Sequence, residues 1–595
     1  MSTSHLFKKA TKEFFSNCVN YLILFFSINI MLFLAVTLFD FLASLILQSQ
    51  EIPYISYTNL NVFLHKPLAI IGLLLLLGIL ILTIFFQFAY LLLGVRQIYQ
   101  RHFNLVELLK ESWVILRKQT VGSFLFFLFY FMLILPFSHE IFNTQLLNKV
   151  VIPVFIMDFI ETNVLYAVLL GMAGMIVGYI AIRWLFILPL VILGELPTKI
   201  AVQQSLALTK HKFWHFMWRM FVLGFISMAL KYVVFIMICI LQAGLDQLAN
   251  PYPLIGAMIN LSLVQLINVI GGAWTSVLLL FLLLTNPEII PFMGYGEKIK
   301  PRRVAPRWFN RMNLTILVGT GLMVLLFNVL YLNGMTQQTP KIISHRGVDS
   351  LENPNGVQNT IPALKETMKL KPDYVEMDIQ ETKEGQFVTM HDPDLKNLTG
   401  VDGAPQQYTL DELTQLTVKE KGLEAKVASF DEYLSTANLG KQKLLIEIKA
   451  SKLDSSEMMT NFIEKYKADI LKNHHEVQSL DYNVVTFLKS KAPEIPVSYI
   501  LSYNFVFPNT KSNTYTMEST TLNDTFILKA HATKRRVYAW TINDTETMDK
   551  MMFLDVDGII TDELTVLKQE IKEFQNSPNY ANRIMNYISV IPDDL

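Results

Sequence analysis

Two histidines, three carboxylates and two cations stand at the ends of short apolar runs in the second half of this 595-residue chain. His345 and Arg346 close KIISHRG, Glu376 and Asp378 lie two apart in YVEMDI, and His391 and Asp392 follow FVTM. Glu447 and Lys449 repeat the two-residue spacing in LLIEIK, and Trp540 sits in VYAWTI. In an extended strand that spacing sends both side chains to one face. Carboxylates on the inward face of a buried strand are costly unless paired or bound to metal. Glu376, Asp378 and Glu447 form an all-oxygen set suited to one hard divalent cation, Mg²⁺ or Ca²⁺, rather than zinc. The two histidines can act as acid and base around a metal-held anion, while Arg346 and Lys449 offer charge to phosphate oxygens. An isolated E-x-D is ordinarily a solvated strand edge and an isolated histidine is ordinarily structural. The ordered set points to metal-assisted phosphoryl chemistry.

Strands must carry these residues. Runs 341–344, 374–379, 387–390, 444–449, 476–480, 497–501, 537–542 and 558–561 read as strands. Between them, stretches beginning at Asn359, Asp431, Ser456, Tyr482 and Thr521 read as amphipathic helices. This alternation predicts an α/β TIM-type (β/α)8 barrel over 341–570, with a doubly wound open sheet as the alternative. A barrel places reactive groups at the C-terminal ends of its strands, where the polar residues fall.

The first half is of a different kind. The chain is 52% hydrophobic and 17% charged, with mean hydropathy +0.37, too apolar for a wholly soluble protein. Its zero net charge hides a split: residues 1–339 hold 22 Lys/Arg against 12 Asp/Glu, leaving 28 and 38 for the rest. The acidic half would repel a phosphate backbone, so nucleic acid is excluded as its partner. Both cysteines, Cys18 and Cys239, lie in the apolar half, so the polar half has neither a disulfide framework nor a Cys-based zinc site. About seven apolar stretches, starting near Tyr21, Pro67, Val121, Val164, Met220, Leu261 and Leu314, are long enough to span a bilayer. They define an all-α polytopic membrane domain over 1–333, followed by a 334–340 linker. The first is too long for a signal-peptide core and has no cleavage site behind it, so it is expected to remain as an anchor.

Lys and Arg cluster before span one and after spans two, four and six, while the alternate loops hold only Lys66 and Lys149. The positive-inside rule then puts the N-terminus in the cytoplasm and the barrel outside the cell membrane. Basic amphipathic stretches from Leu6, Leu105 and Lys199 each precede an odd-numbered span, which suggests a threefold repeat or convergent positive flanks. Asp40, Arg183 and Lys231 fall within spans and mark candidate lipid or ion paths, Lys231 above all.

The order HRG (345–347), QNT (358–360), EMDIQETKEGQFVTMHDPDL (376–395), EIK (447–449), AWTIND (539–544) and DGIITD (557–562) resembles the glycerophosphodiester phosphodiesterase family. The resemblance covers 341–566, and the apolar half looks like the membrane domain that some Gram-positive members carry before the barrel. It implies His345 and His391 as the acid/base pair and Glu376, Asp378 and Glu447 as metal ligands. It further implies that Arg346, Lys449 and Asn359 contact substrate and that Trp540 packs on the glycerol side. In such enzymes a glycerol hydroxyl attacks phosphorus, and water opens the resulting cyclic phosphate. This chain departs from the pattern at Gln358, where the family usually has Glu, and in a longer insert before it whose Glu352 is a candidate replacement carboxylate.

The resulting expectation is a membrane-anchored phosphodiesterase that releases sn-glycerol 3-phosphate and an alcohol from a phospholipid headgroup or glycerophosphate polymer. The alternatives are a phospholipase D-like enzyme acting on lysophospholipid or phospholipid, and a lipid transporter or scramblase whose barrel senses headgroups. A linker of eight residues or fewer keeps the barrel near the bilayer. It also enters at the end of strand one opposite the site, so the mouth meets lipid only if the barrel lies on its side, helped by the 571–595 tail. The oligomeric state is not legible.

Overall fold

The computed structural model describes residues 2–55, 63–142, 152–249, 251–294, 307–333, 339–504, 506–576 and 579–590. Most of the 334–340 linker, Lys149 and the basic cluster from Lys298 to Arg303 lie outside these residues.

Five helical segments among the described residues are long and apolar enough to cross a membrane: Cys18–Ser49, Pro67–Tyr99, Val164–Ile192, Phe213–Leu245 and Tyr252–Leu284. Leu105–Arg117 with Val121–Phe131 makes a sixth if that pair, bent by 106°, is one span. The expected seventh appears as the shorter apolar stretch Gly319–Leu332, the end of a helix beginning at Arg307. The three basic stretches are helices, Thr3–Ser16, Leu105–Arg117 and Thr198–Leu208, each just before a longer apolar one. The first two have side-chain N-caps, Ser2 and Asn104, that accept from free backbone N–H groups of the first turn.

In the polar half eight strands close a parallel barrel: β1 (Lys341–Ser344), β2 (Tyr374–Glu381), β3 (Leu444–Ile448), β4 (Glu476–Ser479), β5 (Val497–Leu501), β6 (Thr514–Glu518), β7 (Arg536–Trp540) and β8 (Gly558–Thr561). Each pairs in parallel with the next, and β8 returns to β1 with Ile343 opposite Ile560. Two expectations need correction. Phe387–Thr389, read as a barrel strand, is an antiparallel extension of β2 outside the closed ring. Its place is taken by β6, which sequence reading missed. The run TYTME is not continuously apolar, and no helix separates it from β5 among the described residues.

A polar cluster closes the barrel at its N-terminal end, built from the first residues of four strands. Arg536 grips Glu476 through two hydrogen bonds of 2.8 and 2.9 Å, Tyr374 donates to the same carboxylate at 2.9 Å, and Lys341 lies 3.7 Å away.

The barrel rests on the membrane half at both of its ends. Beyond the C-terminal ends of β6 and β7, the Val154 N–H donates to Glu518 and Thr520, and the Phe155 ring stacks on Trp540. At the other end Phe553, which closes the helix leading into β8, packs on Tyr331 at the end of the last membrane helix. Between them Tyr54 inserts among buried barrel residues, 4.8 Å from the Tyr499 ring and 5.4 Å from Tyr482, and Asp40 pairs with Lys529. The membrane half therefore contacts the barrel along its flank as well as at its two ends. Beyond it, Tyr580–Val590 forms a helix that returns to the membrane half: the Tyr331 hydroxyl donates to the Arg583 carbonyl, and the Ala581 N–H donates to Asp246.

These contacts account for Asp40, the partner of a barrel lysine. Arg183 ends its helix, and its carbonyl accepts from Ser205 and Thr209. Lys231 donates to Asn268 on the neighbouring span at 3.3 Å and lies over the Tyr232 and Phe235 rings.

Candidate active site

Parallel register sets the floor of the site. Asp378 on β2 is paired with Glu447 on β3, and Glu447 with Gln478 on β4, so alternate side chains of adjacent strands converge in one layer. Glu376, Asp378 and Glu447 are all buried, and each offers an oxygen within 4.8 Å of the others. Burial, and then the carboxylates of Asp378 and Glu447, push the Glu376 carboxyl well above its usual range. Burial raises Glu447 as well, while it also opposes ionisation of Asp378, where Lys449, His391 and Arg346 prevail and hold the carboxyl below its usual range. The Lys449 ammonium lies 3.0 Å from Asp378 and also pairs with Glu447. Gln478 donates to Glu376 at 3.3 Å and stands 3.5 Å from Glu447.

The turn after β1 supplies the next wall. Arg346 has φ +51°, which aims its N–H at Glu376 at 2.8 Å. Gly347 follows at φ +70°, where a Cβ would stand 2.6 Å from the Tyr433 hydroxyl, so this turn requires glycine. The His345 Nδ1 lies 2.8 Å from Asp562 at the end of β8, and Asn543 donates to the other Asp562 oxygen at 2.9 Å. Burial raises the Asp562 carboxyl, but the His345 contact, Asn543 and Arg346 together bring it down to about 2. Across the mouth, the His391 Nδ1 lies 2.9 Å from Asp392, and burial lowers the imidazole below its usual range. Asn359 locks Asp378, donating through its amide at 2.8 Å and accepting the Asp378 N–H at 3.0 Å. A cavity of 290 Å³ joins His345, Arg346, the three carboxylates, His391, Lys449 and Trp540.

Two family models match the chain, the membrane domain of glycerophosphoryl diester phosphodiesterase over residues 7–323 and the glycerophosphoryl diester phosphodiesterase family over 345–566. The chain belongs to the glycerophosphoryl diester phosphodiesterase family. It is thus a phosphodiesterase by family and a multi-pass membrane protein by its apolar domain. A putative glycerophosphodiester phosphodiesterase of Bacillus subtilis, YhdW, is 28% identical over 242 residues, 37% of this chain and 93% of the relative. A glycerophosphodiester phosphodiesterase of Caldanaerobacter subterraneus is 26% identical over 233 residues, with the same coverage. An Oleispira antarctica phosphodiesterase, solved with the product sn-glycerol-3-phosphate, is 22% identical, covers 39% of this chain and 97% of its own, and has a TM-score of 0.35.

In this phosphodiesterase every candidate residue except Asn359 borders the one cavity, and Asn359 lies directly behind Asp378. Gln478, Asp562, Asn543 and Gln380 were not singled out from sequence. Gln380 donates to the carbonyls of Met390, His391 and Asp392, and so fixes the loop that carries His391. Its signal was available, since Gln380 lies two residues beyond Asp378 and shares its face.

Glu352 is exposed and has no part in the cavity. The carboxylate beside Gln358 is instead Glu420, on the hairpin Thr417–Glu420/Leu423–Lys426. Gln358 accepts from Arg346 at 2.7 Å and donates to Glu420 at 2.8 Å, a bridging role that suits a neutral amide. Gln358→Glu sets two carboxylates side by side and should destabilise the protein by roughly 1–3 kcal/mol through the lost donor. Adding Glu420→Gln should restore most of that. Thermal midpoints of the purified full chain check both, and no recovery in the double variant would refute the bridge.

Proposed function

We propose that the chain is a metal-dependent hydrolase of glycerophosphodiesters, releasing sn-glycerol 3-phosphate and an alcohol. The observation that carries this is the convergence, on one cavity, of three buried carboxylates with two histidines, each histidine beside its own aspartate. The donor set fits a hard cation: all ligands are oxygen, and Glu376 and Glu447 resist ionising together where no divalent charge offsets them. A divalent cation held by Glu376, Asp378 and Glu447 would neutralise phosphate charge and acidify an oxygen bound to it.

The chain's own groups do the rest. Arg346 and Lys449 face the phosphate oxygens, and Trp540 walls the glycerol side. One histidine takes the proton of a glycerol hydroxyl as that oxygen attacks phosphorus, and the other returns a proton to the leaving alkoxide as its P–O bond breaks. Water then opens the cyclic phosphate with the roles reversed, so one water is consumed for each glycerol 3-phosphate and alcohol formed. Asp392 and Asp562 keep the imidazoles in position. The purified full chain in liposomes should release sn-glycerol 3-phosphate from glycerophosphoglycerol and lose that activity in excess chelator. Glu447→Gln should raise the Mg²⁺ or Ca²⁺ concentration needed for half-maximal rate about tenfold or more. Full activity in chelator would sink the metal assignment.

The catalytic half lies outside the cell in this reading. The barrel touches Pro53 and Tyr54 after span one and Val154 and Phe155 after the bent pair, and the C-terminal helix that follows it touches Asp246 through Ala581, after the span Phe213–Leu245. These loops are the ones poor in Lys and Arg, and their shared contact supports one membrane face for all of them. Protease added to intact protoplasts should cut the linker and yield, on denaturing gels, a fragment the size of 340–595. Protection until lysis would reverse the orientation.

A further inference from the structure

One wall of the cavity comes from the membrane half. Phe155 lines the cavity with His345, His391 and the three carboxylates, and its ring stacks on Trp540 at 5.9 Å and 27°. It belongs to the helix Val154–Glu161, which is preceded by Pro153 and has no side-chain cap of its own. The barrel provides one: Glu518, buried at the end of β6, and Thr520 each accept the Val154 N–H at 3.2 Å. The helix is thereby latched across the mouth.

One turn on, Phe159 shares the face of Phe155 and is 63% exposed. Its ring lies 6.0 Å from Tyr166, in the first turn of the helix that opens the span Val164–Ile192. Val164, Leu165 and Leu169 beside it are exposed as well. Trp540, Phe155, Phe159 and Tyr166 thus form a single file of rings from the phosphate cavity to the end of a membrane span. Aromatic residues at that level are characteristic of the bilayer interface, where an apolar body meets lipid.

We propose that the preferred substrates are diesters bearing an apolar chain, taken from the bilayer along this file, with Phe155 as a specificity-determining residue. This rests on the phosphodiesterase reading of the cavity. A deacylated diester would engage the charged floor and leave the rings bare, and a polar glycerophosphate polymer would gain nothing from them.

The test uses the full chain in dioleoylphosphatidylcholine liposomes and compares kcat/KM for monoacyl-glycerophosphoglycerol with that for glycerophosphoglycerol. Each methylene covered by a ring contributes about fourfold. The native protein should favour the acylated substrate, and Phe155→Ala should lower the ratio at least about tenfold. Phe155→Trp should keep the ratio, and Glu518→Ala, which releases the helix, should lower it. A ratio unchanged in Phe155→Ala, or a preference for the glycerophosphate polymer, overturns the proposal while leaving the phosphodiesterase reading intact. Should Phe155→Ala be inactive on both substrates, a collapsed ratio in Phe155→Trp overturns it. A native protein that cleaves neither substrate overturns the phosphodiesterase reading and this proposal with it.

Discussion

Replacing His391 by alanine should lower kcat at least about 10²-fold, as expected for the loss of a general acid or base, with a much smaller change in KM. His391 lies at the mouth with Nδ1 turned to Asp392, while Gln380 holds the three carbonyls around it, so truncation removes the imidazole without unseating the loop. His345→Ala should have a loss of the same order, and the double variant should be little worse than either single one, because the two groups act as a unit in the same step, one taking a proton and the other giving one. Steady-state rates on glycerophosphoglycerol decide this, with thermal midpoints to confirm folding. Activity that survives both changes would remove the histidines from the mechanism.

The second large effect lies at the opposite end of the barrel and concerns stability. Arg536→Met should destabilise the protein by roughly 3–5 kcal/mol, since it strands the Glu476 carboxylate among Tyr374, Tyr538 and Lys341. Burial raises Glu476, but hydrogen bonding and attraction from Arg536 outweigh it and hold the carboxyl below its usual range. A carboxyl depressed on folding contributes stability that is present above its unfolded value, about 4.3, and is lost as pH falls through the folded value. The native thermal midpoint should therefore fall on acidification below about pH 4, with a smaller fall in Arg536→Met. The kcat of the protein that remains folded should be unaffected, because the cluster is a barrel length from His391. Equal midpoints for the two proteins at neutral pH would refute the assignment.

Sequence alone located the floor of the site because its signal is local. The two-residue spacing of Glu376 and Asp378, and of Glu447 and Lys449, encodes a shared face without reference to anything distant. Asp562 escaped because it lies 217 residues from His345, and only ring closure through β8 brings them together. Phe155 escaped for the same reason across the boundary between the halves, where composition says nothing about docking. Strand β6 was hidden by its alternation of Thr514, Tyr515, Thr516, Met517 and Glu518, and by a connection before it that holds no helix among the described residues. Phe387–Thr389 is apolar and β-branched enough to mimic a barrel strand, yet its pairing is antiparallel. Glu352 looked like a replacement carboxylate from its nearness in sequence, whereas Glu420 takes the place through a hairpin.

The return of the Tyr580–Val590 helix to the last membrane helix has a consequence for how the catalytic half could be shed. Because the barrel is gripped at both ends of its own sequence and again through Tyr54 and Phe155, a nick in the linker breaks one covalent tie among several attachments. A clipped molecule should stay on the membrane, sediment with it and keep its activity. Release would require a second cut ahead of Tyr580 together with loss of the aromatic contacts, so turnover of this phosphodiesterase should resemble dismantling an assembly more than snipping a stalk.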